Sequence, residues 1–163
     1  VSIDIRPAVQ HDVPLLLELV KELAAYEKLS HAVVASESLL AEHLFGPRPA
    51  AEALVASLDG VTVGFALFFT NFSTFVGRPG IYLEDLFVRP VARGAGVGRA
   101  LLQEVARIAV GRNCGRLEWA VLDWNEPAIG FYKKLGAVAL DDWTMFRVTG
   151  NALIQLSSPG ASR

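Results

Sequence analysis

Cysteine is all but missing: Cys114 stands alone in 163 residues. A lone cysteine forms no intrachain disulfide and builds no cysteine-rich metal knot, and no base stands near it in a nucleophile pattern. The three histidines, His11, His31 and His43, lack the paired spacing of a zinc site, so no metal is expected. Charge of one sign is not in excess either. Fifteen Lys+Arg face 17 Asp+Glu for a net charge of -2, which leaves no basic footprint for nucleic acid or an acidic membrane. The longest apolar run, VTVGFALFF at 61–69, is too short to cross a bilayer. The opening VSIDIRPA carries an acid and a proline where a signal peptide needs an apolar stretch. Repeats, low-complexity tracts and linkers are absent. A soluble cytoplasmic protein is expected, with no nucleic-acid or membrane partner.

What is present suits one compact domain: 52% of the residues are hydrophobic, ample for a core. Residues 2–6 alternate as a strand. Asp12 with Pro14 reads as a helix start, after which Val13, Leu16, Leu17, Val20, Leu23 and Ala24 share one face. A second helix is expected from Ser36 to Phe45, stopping at Gly46-Pro47. Two strands, 51–58 and 61–69, flank Asp59-Gly60, a strong hairpin signal. Residues 70–80 read as a loop and 81–88 as a third strand. A helix from about Gly98 to Val110, a strand at 116–123 and a helix at 125–136 follow. Asn125 caps that last helix, Pro127 lies in its first turn and Gly136 ends it. A final hairpin is expected around Thr149-Gly150. The order implies an α/β (or α+β) fold on a mixed central sheet flanked by helices, with residues 1–156 as the domain and 157–163 as a polar tail.

Residues 82–102 read YLEDLFVRPVARGAGVGRALL: an apolar strand holding two carboxylates, a proline, a glycine cluster and an amphipathic helix. Glycine lets a backbone approach a ligand, and a helix N-terminus presents unpaired N–H groups to anions. Arg93 can add a charge-assisted bond to a phosphate. A strand-to-helix turn that needs glycine for shape alone has the same composition. The two nucleotide fingerprints fail. No Lys-Ser/Thr follows as a Walker loop requires, and G-x-G-x-x-G ends on Arg99 from Gly94 and on Leu101 from Gly96.

The segment instead resembles the pyrophosphate-binding pattern Arg/Gln-x-x-Gly-x-Gly/Ala of the GNAT superfamily of acyl-CoA N-acyltransferases, carried by Arg93, Gly96 and Gly98. NEPAIGFYKKLGA, from Asn125 on, resembles the superfamily's second signature, N-x-x-A-x-x-x-Y-x-x-x-G. Within the superfamily, YLEDLFVRP, RGAGVG, LDWNEPAIGFYKKLGA, KELAAYEKLSHAV and FGPRPAAEALVA are similar to the diamine acetyltransferases, the spermidine/spermine N-acetyltransferase family, from about Ile5 to Val148. The loop EKLSH after Tyr26 is less acidic than in members that bind long polycations, and the stretch between Gly136 and Trp143 is shorter. Both features look more like the branch acting on thialysine and related small amines. The resemblance implies acetyl-CoA as cosubstrate, acetylation of a primary amine, a cofactor contact along Arg93, Gly94, Ala95, Gly96, Val97 and Gly98, and a homodimer.

A primary alkyl amine has a pKa of about 10.4, so roughly one molecule in a thousand is the free base at neutral pH, a deficit of about 4 kcal/mol. A buried carboxylate can attract the cation and take its proton. Glu84 and Asp85 are the candidates, although neighbours in a strand point to opposite faces unless the strand bulges. Either acid could instead pair with a basic residue. The resemblance assigns the base to Glu84 and amine binding to Asp85. It also assigns backbone N–H groups near Phe87 and Val88 to the acetyl carbonyl, and protonation of the departing sulfur to Tyr132. Without the signature, Tyr132 reads as a core aromatic beside Phe131. Asn125 is a candidate cofactor contact, though its cap explains it as well. Tyr26 and Glu27 are candidate walls of the amine pocket. A non-catalytic acyl-CoA sensor with the same fold is the alternative function, and it would need the glycine loop but not the acids or the tyrosine.

Overall fold

The computed structural model describes residues 1–160, and the chain divides into two compact units, Val1–Leu122 and the part that begins at Asp123. In the first unit the order is β1 (Ile3–Pro7), α1 (Val13–Tyr26), α2 (Glu37–Phe45), β2 (Glu52–Leu58), β3 (Val61–Ser73), β4 (Arg78–Val88), α3 (Val97–Gly111) and β5 (Leu117–Trp119). The strands form one sheet in the order β1-β2-β3-β4-β5. The first four run antiparallel to their neighbours, while β5 joins β4 in parallel. The mixed sheet with helices is the α/β architecture expected from the sequence.

Local chemistry explains most boundaries. Asp59 and Gly60 take positive φ values of 51° and 85°, the pair a two-residue hairpin needs to follow the strand twist. The Ser36 hydroxyl accepts the Leu39 N–H at the start of α2. Asp12 does something other than cap α1. Its carboxylate takes both ends of the Arg6 guanidinium at 2.8 Å each and the Val9 N–H at 2.8 Å, tying β1 to the turn before the helix. Arg6 holds the carboxyl below its ordinary value.

Alternate strand residues separate the core into two faces. Leu16, Leu19 and Leu23 of α1, with Leu44 of α2, pack on Ala53, Val55, Phe65 and Phe87. The residues between them, Leu54, Ala56, Ala66 and Phe68, are also buried, as are Leu101, Leu102 and Val105 of α3. The α1 stripe is turned slightly from expectation. Leu19 is fully buried, whereas Leu17 and Val20 lie half-buried at its edges.

Three expectations need correction. Residues 70–80 are not a loop: β3 continues through Ser73 and β4 begins at Arg78. Only a tight turn remains, closed by Gly77 N–H to Ser73 O at 2.8 Å. The glycines and proline that suggested a loop are tolerated because Pro79 and Gly80 precede the β5 ladder, which starts at Ile81. The strand expected at 116–123 is only Leu117–Trp119, and its ladder with β4 ends at Leu83, where the register of β4 against β3 shifts. In the second unit, α4 spans Glu126–Lys134 as expected, but the final hairpin is replaced by α5, Gly150–Ser157. Ala152, Leu153, Gln155 and Leu156 are good helix formers, and no strand lies among described residues 137–149 to pair with them. The expected polar tail thus begins as the end of a helix, and its last three residues lie outside the described residues.

Candidate active site

One irregularity in β4 organises the site. Leu67 pairs with Asp85 but Phe68 pairs with Leu83, so Glu84 is an extra residue in the ladder, a β-bulge. Phe87 belongs to the α1 face, and so, two residues back, does Asp85. Leu83 lies opposite Phe68 and hence on the other face. Alternation restarts at the bulge, and Glu84 and Asp85 both turn toward α1. The condition for the two acids to serve one pocket is therefore met.

The end of α1 supplies a third acid to this face. Glu27 is half-buried, and burial pushes its carboxyl upward. Asp85 is pushed up to about 7, first by burial and then by the negative charges of Glu84 and Glu27. Glu84 itself is exposed. Three carboxylates from two elements thus share one field, which favours a cation among them and makes Asp85 able to hold or release a proton near neutral pH.

Beyond the bulge, β4 has lost its partner on one side, since the β5 ladder ends at Leu83. The Arg89 N–H donates to Val63 O at 2.8 Å. A Cβ on Gly64 would stand 2.5 Å from the Phe87 carbonyl oxygen, so that oxygen also faces β3. Polar groups alternate along an antiparallel ladder, so Phe87 turns its N–H toward β3 and Val88 turns its own toward the open edge. Arg89 secures this end by reaching Glu18 at 2.7 Å and Glu22 at 3.0 Å on α1. The sequence reading missed that anchor and the close approach at Gly64; a glycine inside an otherwise apolar strand was the available signal.

The chain then makes a short turn, Pro90–Ala92, and enters α3 through the glycine cluster. Gly94 and Gly96 have φ of 84° and 91°, a region costly for residues with a side chain. The N-cap of α3 is Gly96, which has no side chain to cap the helix. An added Cβ would meet nothing within 4 Å at Gly94, and at Gly96 only Ile3 Cδ1, at 3.9 Å. Ala95, Val97 and Gly98 complete a turn whose backbone is open to an approaching anion, which fits a pyrophosphate. Arg93 bends back from it. Its Nε donates to Val88 O at 3.0 Å, and its guanidinium carbon lies 4.8 Å from the centre of the Tyr26 ring.

Asn125 and Tyr132 belong to the second unit. Asn125 is buried, and its Oδ1 accepts the Ala128 N–H at the start of α4. Tyr132 lies on α4 with its ring centre 5.5 Å from that of Phe131. Within the first unit, a cleft of about 350 Å³ between α2, β2 and α3 is lined by none of the carboxylates Glu27, Glu84 and Asp85 nor by the glycine turn. It is lined by Leu44, Phe45, Leu54 and Ile108 and bordered by Glu52 and Arg112, which pair at 2.7 Å. Among the described residues no His, Cys, Asp and Glu cluster could hold a metal ion, and no helix is long and apolar enough to cross a membrane.

Comparison with known proteins places these features. Residues 17–137 match the acetyltransferase (GNAT) family. The thialysine N-epsilon-acetyltransferase of Mus musculus is 38% identical over 167 residues, covering 96% of this chain and 98% of that protein. The L-ornithine N5-acetyltransferase of Arabidopsis thaliana is 34% identical, covering 91% of this chain and 85% of that one. Among solved structures, an integron cassette protein of V. cholerae superposes with a TM-score of 0.81 at 31% identity, covering 98% of this chain and 99% of that one. The family acts on acetyl-CoA, and the glycine turn and carboxylate-lined strand lie within the matched span. The chain therefore belongs to the GNAT family of acetyltransferases and is an acetyl-CoA-dependent amine N-acetyltransferase.

Proposed function

We propose that this enzyme acetylates the side-chain amine of a small, thialysine-like amino acid or diamine by direct attack on acetyl-CoA. The observation that carries this reading is the bulge in β4, which turns Glu84 and Asp85 to the face where Glu27 also stands. Relatives named for thialysine and ornithine support an acceptor with a terminal amine beside an amino-acid head. Residues 1–156 act as one domain, in a homodimer, as the similarity to diamine acetyltransferases implies. Light scattering checks this state, and a monomer mass at working concentration would refute it.

In this mechanism the backbone of Gly94, Ala95, Gly96, Val97 and Gly98 holds the pyrophosphate, with Arg93 adding positive charge. The family resemblance gives Asn125, which caps α4, a contact with the cofactor. The bound cosubstrate supplies an activated acetyl thioester. Tyr26 and Glu27 form the wall of the amine pocket. The carboxylates attract the ammonium, and one of them takes its proton, directly or through water. The family resemblance gives that role to Glu84. Burial favours Asp85, whose carboxyl sits near 7, with exposed Glu84 drawing in the cation. The strand end at Phe87 and Val88 receives the acetyl carbonyl. The Val88 N–H is the donor on the open edge, and it stabilises negative charge building on that oxygen. Tyr132, a phenol protonated at neutral pH, gives its proton to the departing sulfur.

A thiol-release assay with acetyl-CoA tests this across thialysine, lysine, ornithine, putrescine, spermidine and a histone-tail peptide. Preference for thialysine or ornithine is expected. Preference for spermidine would move the acceptor to polyamines, preference for the peptide would move it to protein lysines, and silence across the panel would refute the proposed acceptor class.

A further inference from the structure

Arg93 is the first residue of the glycine motif, the place from which a side chain would be expected to reach a phosphate. Its guanidinium is engaged elsewhere. Nε donates to the Val88 carbonyl at 3.0 Å, and the group lies over the Tyr26 ring at 4.8 Å and beside the Phe87 ring at 5.9 Å. These three partners come from the end of α1 and the end of β4. Tyr26 directly precedes Glu27, whose carboxylate acts on Asp85. Val88 carries the N–H that faces the open edge.

We infer that Arg93 is a positioning residue for the acceptor side of the site. By stacking on Tyr26 and holding the Val88 carbonyl, its guanidinium fixes the end of α1 against the end of β4, and so sets where the amine meets Asp85 and the acetyl carbonyl meets the Val88 N–H. The chemistry of arginine suits the task. Its flat cation stacks on a ring while Nε–H donates in the plane. The guanidinium's terminal nitrogens are further donors of the kind an anion on the neighbouring glycine turn would accept from. One side chain can therefore serve both substrates, and its shape, not only its charge, matters.

The inference rests on the proposed acceptor pocket, and two independent readouts keep the two apart. The first is a double-mutant cycle in urea unfolding with Arg93→Gln, Tyr26→Leu and the pair, together with Tyr26→Phe, which keeps a ring face. Contact between the two side chains makes the pair less disruptive than the product of the singles, by about 2- to 5-fold in the unfolding equilibrium, and Tyr26→Phe retains the coupling to Arg93. The second readout is kinetic. Arg93→Gln and Tyr26→Leu should each raise the amine KM about 3- to 10-fold, without compounding in the pair. Tyr26→Leu should leave the acetyl-CoA Kd, measured by calorimetry, within about twofold, and Arg93→Lys should recover part of the amine KM. Additive unfolding effects overturn the inference. So does an Arg93→Gln enzyme with weakened acetyl-CoA binding and an unaltered amine KM, which would make Arg93 a phosphate ligand alone. A wild-type enzyme silent toward every amine would sink the proposed acceptor, while the unfolding cycle would still decide whether Arg93 and Tyr26 are coupled.

Discussion

Replacing Asp85 by asparagine tests the electrostatics of the site without touching the cofactor turn. The Asp85 carboxyl is pushed from its ordinary 3.8 to about 7, by burial first and by Glu84 and Glu27 next. The folded chain thus holds this proton more tightly than the unfolded chain. Its stabilising contribution is complete below about pH 4 and is lost as the pH rises through about 7. At about 1.4 kcal/mol per pKa unit the full rise corresponds to about 4 kcal/mol. Asp85 is only half-buried, so screening by water reduces this to about 1–3 kcal/mol. Asparagine has the same shape and no charge, and its contribution is flat over that range. Urea unfolding followed by tryptophan fluorescence between pH 4 and pH 8 should give curves that approach each other near pH 4. Above pH 7, Asp85→Asn should be the more stable by about 1–3 kcal/mol. Parallel curves would refute the upward shift of the Asp85 carboxyl. In thiol release, the wild-type rate should climb through about pH 7 and Asp85→Asn should lose that limb, whereas Glu84→Gln should keep it. The reverse pattern would return the proton to Glu84.

Tyr132→Phe should lower kcat by about 10- to 100-fold with an acetyl-CoA Kd near wild type; unchanged turnover would remove the phenol from the reaction. Gly64→Ala places a Cβ 2.5 Å from the Phe87 carbonyl oxygen, so the strand end must shift. A stability loss of about 1–3 kcal/mol, together with a lower kcat, is the expected result, and a silent substitution would contradict the close approach. Gly96→Val forces a branched side chain into a left-handed position and should weaken acetyl-CoA binding at least tenfold, by roughly 1.4 kcal/mol or more; wild-type calorimetry would contradict the turn's role. Asp12→Ala leaves Arg6 without its bidentate partner and frees the Val9 N–H, at a cost of about 2–3 kcal/mol at pH 7. Because the Asp12 carboxyl is held below its ordinary value, this difference should shrink as the pH falls below about 4, and a pH-independent difference would argue against the ion pair.

The features legible in the sequence were those decided by a few adjacent residues. The helix from about Ser36, the Asp59-Gly60 hairpin turn, Asn125 capping α4 and the glycine entry to α3 each depend on chemistry within one turn of chain. The errors came where local chemistry is indifferent. Phe72 and Pro79 pair across β3 and β4 because a long hairpin forms around them. NALIQL, expected in a final hairpin around Thr149-Gly150, is helical in α5.

By itself, then, the sequence determined the sheet-and-helix order as far as α4, the glycine turn and the family, and it named both carboxylates. It could not decide which way those carboxylates face, because that depends on how β4 registers against β3. Nor could it assign a proton near neutral pH to Asp85, since that follows from burial and from a charge at the far end of α1. The place of Arg93 is of the same kind. Its motif points to a phosphate, while its partners Tyr26 and Val88 come together only when helix and strand end side by side. Register, burial and cross-element stacking are set by segments distant in the chain, so only the tertiary structure could decide them.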